Sequence, residues 1–300
     1  KHGYKVEMSE KLIYIYCVAG RMPEIESTED SDDIYTVFYR GLYVMVSRVS
    51  SEEFNEDAMK INLNDMMWLE SKVRNHERVI EKVMDYSAAI PFKFATIFKT
   101  EDSLKAMVEN YHNEFRDILA RLEGHEEWGV KVYCDMQKFK SAVVRKSEHI
   151  MKIEDEIKSS GIGKAYFLNK KKEEFMDDIA SKEIIECRME IHEALQKESS
   201  DAHPIKLLPK EVTGRKDKMI LNAVFLLAKP KLEDFIESID CLKEKYKDTG
   251  LKFDCTGPWP PYNFCSINTA KGIDETTSFS SGKEPNGSII FNGVEDGNAI

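Results

Sequence analysis

The sequence predicts an α+β protein of two domains, residues 1–124 and 125–265, followed by a polar tail over 266–300. Three observations carry this reading. Short runs rich in β-branched and aromatic residues alternate with stretches whose apolar residues recur every three or four positions, so strands and amphipathic helices share one chain. In the second half they follow the order β-α-β-β-α-β, the ferredoxin-like arrangement, in which two helices cover one face of a four-stranded sheet. Residues 266–300 differ in kind. Ser, Thr, Asn and Gly fill 17 of 35 positions, too polar to bury surface against the entropy of ordering it. That stretch reads as a flexible tail, with SIIF (Ser288–Phe291) its best candidate for a docking strand.

In the first domain KLIYIYCV (Lys11–Val18) is the opening strand, and the acidic stretch Gly20–Asp33 is a loop. IYTVFY (Ile34–Tyr39) and LYVMVSRV (Leu42–Val49) flank Arg40-Gly41, a two-residue hairpin turn. A helix is predicted from about Asp65 to Tyr86, with Leu69, Val73, His76, Ile80 and Val83 on its buried stripe. PFKFATIF (Pro91–Phe98) reads as one strand. Thr100 caps the next helix, whose buried face holds Leu104, Met107, Tyr111, Phe115, Ile118 and Leu122. Gly124 stops it, because a helix end often needs a left-handed residue that glycine adopts cheaply.

The second domain opens with EWGVKVYC (Glu127–Cys134), with Trp128, Val130, Val132 and Cys134 on one face. A helix with Phe139, Val143, Ile150, Ile153 and Ile157 in phase is interrupted at Ser159–Gly163, and a charged helix resumes to about Lys197. HPIKLLPK (His203–Lys210), a Thr213-Gly214 turn and MILNAVFLLA (Met219–Ala228) follow. The continuous apolar run of the last marks a strand buried on both faces. The final helix places Leu232, Phe235, Ile239, Leu242 and Tyr246 inward, and LKFDC (Leu251–Cys255) is the last strand.

Charge excludes some functions. The net charge is −11, and the short basic runs Lys170–Lys172 and Arg215–Lys218 are each flanked by acids. A duplex-binding protein carries a basic domain or stripe, so nucleic acid and anionic membrane are not expected as main partners. The longest clean apolar run, Ala223–Ala228, falls far short of the ~20 residues of a membrane span. No signal peptide is legible, and the six cysteines form no CxxC. They read as reduced thiols of a cytoplasmic protein.

The search for chemistry yields little. GIGKA (Gly161–Ala165) resembles the end of a phosphate-binding loop. However, Lys158 stands where the first glycine belongs and Ala165 where Ser or Thr would bind magnesium, so it reads as a helix break. His125-Glu126-Glu127 and His192-Glu193 have neither HExxH nor finger spacing, and no metal site or cofactor is expected. His76, on an apolar stripe, reads as a hydrogen-bonded core or interface histidine. No catalytic residues are assigned. Met66, Met67 and Trp68 form a candidate interaction patch, since methionine surfaces adapt to partners; packing of a helix start on the sheet is the competing reading.

TGPWPPYNFC (Thr256–Cys265) is the most unusual segment. It is too short for a repeating proline-rich ligand, and its prolines cannot continue a central strand. It is expected to be a latch: the strand ends at Cys255, Gly257 turns the chain, and Trp259, Tyr262 and Phe264 pack back on the domain, with Pro260 and Pro261 between them. Trp259 should then be at least half buried.

HERVIEKVM (His76–Met84), PFKFATIF, EWGVKVYCD (Glu127–Asp135), GKAYFLNKK (Gly163–Lys171), MILNAVFLLA and CTGPWPPYNF (Cys255–Phe264) occur in an order that resembles the gas vesicle protein F/L family (GvpF/GvpL) over about residues 12–264. The resemblance implies an accessory protein of gas vesicle formation. No catalytic residues carry over from that family; such a protein would act at the gas vesicle and contact the shell protein and other accessory proteins. The alternative is a small-molecule-binding enzyme or sensor built on a ferredoxin-like sheet, since such folds host many functions. The tail over 266–300 matches nothing in that family.

Overall fold

The computed structural model describes residues 11–23, 34–144, 147–266 and 288–290. The chain divides into two compact units. The first runs to His125 and takes up the chain again from Pro260; the second is Glu126–Trp259.

The first unit holds β1 (Lys11–Ala19), β2 (Ile34–Tyr39), β3 (Leu42–Ser50), α1 (Ser51–Phe54), α2 (Glu56–Asn62), α3 (Met66–Met84), β4 (Ala89–Pro91), β5 (Thr96–Phe98), α4 (Glu101–Asn110) and α5 (His112–Leu122). Strands β5, β1, β3 and β2 lie side by side in that order, and β4 also pairs with β1. β1 is buried at every position after Lys11. Its register with β3 slips between Ile15 and Cys17. Such a bulge shifts the alternation of faces by one. Leu12, Tyr14 and Tyr16, and then Cys17 and Ala19, therefore all join one core with Val79, Ile80 and Val83 of α3. The β2–β3 turn uses Arg40 at φ 50° and Gly41 at φ 84°. Positive φ at both central residues gives a turn whose twist matches the strands it joins.

Two local expectations change here, and one stretch the sequence left unassigned takes shape. Residues 51–62 form two short helices, capped by the Ser50 hydroxyl and the Asn55 side chain. PFKFATIF is two short strands around a turn, in which the Thr96 amide and hydroxyl both donate to the Lys93 carbonyl and Ala95 takes φ 61°. The helix after Thr100 is two helices meeting at Tyr111, although Thr100 does cap the first through a reciprocal pair with Ser103.

The second unit holds β6 (His125–Cys134, entered from the first unit), α6 (Met136–Val144), α7 (Glu148–Lys158), α8 (Ile162–Lys197), β7 (Asp201–Pro204), α9 (Lys210–Thr213), β8 (Lys218–Ala228), α10 (Leu232–Tyr246) and β9 (Leu251–Trp259). Its sheet runs β7-β8-β6-β9. β8 is buried from Met219 through Leu227, as its continuous apolar run requires. Val130, Val132 and Cys134 of β6, Cys187 and Ile191 of α8, and Phe235 and Ile239 of α10 share one core with Phe225. HPIKLLPK contributes only its first two residues to β7; beyond Pro204, the Ile205 amide still donates to the Asn222 carbonyl at 2.8 Å. β9 does not stop at Cys255. It continues to Trp259, paired with β6 as far as Glu127. It is an edge strand, and an edge tolerates Pro258 because one side of its backbone needs no partner.

A last strand, β10 (Ser288–Ile290), pairs antiparallel with β5, at the end of the first sheet. Residues 267–287 and 291–300, Phe291 among them, and most of the acidic Gly20–Asp33 stretch lie outside the described residues.

Candidate interaction surfaces

The segment Thr256–Cys265 divides between the units. Gly257 sits against Trp128 in the second: a Cβ there would lie 2.8 Å from the Trp128 ring, and φ is +150°. Trp259, 37% exposed, closes the strand with its indole N–H donating to the Thr256 hydroxyl at 3.1 Å. Pro260 and Pro261 are buried and belong to the first unit. So do Tyr262, half-buried, and Phe264, fully buried, whose carbonyl accepts from the Arg121 guanidinium. The packing expected on the strand's own domain is thus made, past Trp259, on the other unit. The reason is local: β9 stays paired to Trp259, so the chain turns four residues later than Cys255.

Tyr262 reaches a buried polar chain. The Ala95 amide donates to the Tyr14 hydroxyl at 3.1 Å, and that hydroxyl lies 2.9 Å from His76 Nδ1. His76 Nε2 lies 3.0 Å from the Phe92 carbonyl and 3.3 Å from the Tyr262 hydroxyl. Tyr262 in turn donates to Glu77 Oε1 at 2.9 Å. A carbonyl can only accept, so Nε2 carries a proton; burial disfavours a second one on the ring, so Nδ1 accepts from Tyr14. His76 is therefore neutral. Burial holds its pKa down at about 4. Burial, with the Glu81 carboxylate a lesser cause, also raises Glu77, and burial followed by the Glu77 carboxylate raises Tyr262. Every titratable group of this chain is engaged by another member or by backbone, which fits the core-histidine reading of His76.

Met66, Met67 and Trp68 separate in role. Asp65 caps α3 through the Met67 and Trp68 amides. Trp68 folds inward, its ring 5.8 Å from Phe54 and its indole N–H donating to Glu53 at 2.8 Å. Trp68 and Tyr262 pack against the same core, whereas Trp259 belongs to the other unit. Met66 and Met67 point outward, Met67 at 84% exposure, and Ile61 on α2 is also exposed.

Two surfaces were not singled out in the sequence. Ile162, Tyr166 and Phe167 at the start of α8 are exposed, Ile162 at 94%. Leu232 and Ile236 of α10 line a shallow groove with Glu233 and Glu237. GIGKAYF carried the signal for the first, since three large apolar residues beside a helix break have no stripe to join. Gly161 is the N-cap of α8, and Lys164 pairs with Glu156 at 2.8 Å. Among the described residues no group of three His, Cys, Asp or Glu side chains is placed to hold a metal ion, and no helix is long and apolar enough to cross a membrane.

These features define a two-unit α+β protein whose His76 hydrogen-bonded chain serves its own core and whose helices present uncovered apolar side chains. A family model described as gas vesicle synthesis protein GvpL/GvpF matches residues 12–266, and the chain belongs to that family. It is 24% identical to gas vesicle protein L of Streptomyces sp. (strain CB03234) over 86% of this chain and 94% of that protein. It is 23% identical to gas vesicle protein F of Haloferax mediterranei over 82% and 87%. The fold is similar to the crystal structure of gas vesicle protein GvpF from Anabaena sp. PCC7120, with a TM-score of 0.62 and 18% identity over 86% of this chain and 99% of that one.

Proposed function

We propose that this chain is a non-enzymatic accessory protein of gas vesicle formation, working in the cytoplasm and at the vesicle through contacts with the shell protein or with other accessory proteins. Membership of the family and the names of its relatives support the setting. The observation that carries the contact mechanism is the exposure of Met66 and Met67 beside the anchored Trp68. Flexible thioethers held outward by a capped helix on a rigid aromatic base make an adaptable apolar contact. The non-enzymatic part is supported by His76, Glu77, Tyr14 and Tyr262, which are engaged in one internal hydrogen-bonded chain.

The second unit reads as a ferredoxin-like domain. The sheet order β7-β8-β6-β9 supports this, with α6–α8 between β6 and β7 and α10 between β8 and β9. The test of function is a pairwise binding assay of the full chain against the shell protein and each accessory protein. Met66→Ser/Met67→Ser should weaken capture of at least one of them without changing the melting temperature. Unchanged capture of every partner by that variant, or no capture by the wild type, would remove the patch from the mechanism.

A further inference from the structure

Two helix faces of the second unit are apolar, uncovered and opposite in charge. Residues 157–172, around the α7–α8 turn, hold five lysines and no acid in a chain of net charge −11. Lys158, Lys164 and Lys172 pair with Asp155, Glu156 and Glu154, while Lys170 and Lys171 make no direct ion pair among the described residues. Ile162, Tyr166 and Lys170 follow one another at intervals of four, so they share one face of α8, with Phe167 beside them. The opposite face is covered: Leu168 is buried, and Phe175 lies 4.5 Å from the His149 ring of α7.

The second face is the outer side of α10. Phe235, Ile239, Leu242 and Tyr246 take its inner side into the core. Residues 232–244 hold five acids and one lysine. Asp234, Asp240 and Glu244 are paired with Lys231, Lys243 and Lys247, leaving Glu233 and Glu237 without an ion pair among the described residues. These two flank Leu232 and Ile236 in the groove.

We infer that the tip of the α7–α8 hairpin docks on the outer face of α10 in a second copy of this chain. Ile162 and Tyr166 would lie on Leu232 and Ile236, and Lys170 and Lys171 would face Glu233 and Glu237. The occupant is a second copy because the chain's own α10 is out of reach. α10 meets α8 where Tyr246 donates to Glu190 at 2.9 Å. Ile162 is 28 residues earlier, ~42 Å along the helix, whereas α10 spans only ~21 Å. The two faces differ, so each copy offers one of each and association proceeds head to tail. Three exposed side chains supply on the order of 400 Å² per partner, below the ~800 Å² of a stable interface, so the contact is weak and depends on its charges.

Sedimentation velocity of the full chain, over a series up to about 200 µM, tests this. The wild type is expected to sediment faster as concentration rises. Lys170→Glu/Lys171→Glu, and separately Glu233→Lys/Glu237→Lys, should each weaken association roughly tenfold or more, through lost pairing and new repulsion. The four-residue swap restores opposite charges, keeps the net charge at −11, and should recover association to within about threefold of the wild type. All four positions are at the surface, and unchanged melting curves would show that the variants fold. Concentration-independent sedimentation of the wild type overturns the inference. So does a folded four-residue swap that fails to recover. A tip that instead pelts down with phosphatidylserine vesicles, with self-association indifferent to the α10 charges, would assign it to lipid and overturn the inference equally.

Discussion

Acidification should destabilise the first unit through His76. Its folded pKa of about 4 lies below the ordinary 6.5, so the unfolded chain binds the proton more readily. The stabilisation from keeping His76 neutral is present in full above about pH 6.5 and is lost as the pH falls toward 4. The whole difference corresponds to ~3 kcal/mol, of which ~2 kcal/mol goes between pH 7 and pH 5. The groups facing the ring are Tyr14, Tyr16, Phe94, Tyr262 and the Phe92 carbonyl, with Glu77 one bond further through Tyr262. Glu77 works in the opposite sense: its raised pKa makes the folded state hold a proton more tightly and offsets part of the loss at the acid end. Urea unfolding at pH 7 and pH 5 measures the effect. Of the three tryptophans only Trp68 lies in the first unit, so Trp128→Phe/Trp259→Phe leaves a fluorophore that reports on that unit alone. The comparison is with His76→Gln in the same background, since glutamine can accept from Tyr14 and donate to Phe92 but does not titrate. The stability difference between the two proteins should shrink by ~2 kcal/mol from pH 7 to pH 5. An equal difference at both pH values, or a His76 ring that titrates near 6.5 by NMR, would refute the reasoning.

Phe264→Ala removes a fully buried ring and should cost the first unit ~3–5 kcal/mol, seen in calorimetry as a lower melting temperature for that unit while the second unit is unchanged. Gly257→Ala places a methyl 2.8 Å from the Trp128 ring at a φ that side chains resist; the second unit should lose ~1–3 kcal/mol by denaturant midpoint. Met67→Lys should change stability by less than ~0.5 kcal/mol, because the side chain is exposed, and any loss of partner capture then reports on contact rather than folding.

Much of the architecture was legible wherever periodicity and burial agree. β8 announces itself because nine consecutive positions are buried, and the inward faces of α3 and α10 follow their stripes. PFKFATIF misleads because Phe92 and Phe94 alternate like strand residues, while the turn from Lys93 to Thr96 depends on Ala95 taking a positive φ, which composition does not advertise. β9 was read too short because proline was weighed against a central strand, and position in the sheet is set by partners distant in sequence. The destination of Tyr262 was hidden for the same reason: its partners His76 and Glu77 are 186 and 185 residues away. The exposed start of α8 was missed because exposure there depends on where α7 ends, not on the residues of α8 themselves.

The first unit is assembled from both ends of the chain, with the second inserted between Glu126 and Trp259. On a ribosome the inserted unit is finished at Trp259, while its host still lacks Pro260, Pro261, Tyr262 and Phe264. Domains often fold in order of emergence from the N-terminus. Here the order of completion is reversed: the unit begun first is closed last, when the final few residues of its core leave the exit tunnel. A stop codon after Trp259 should therefore release a finished second unit attached to an unsealed first one. Its exposed core would make that product a target for chaperones and proteases.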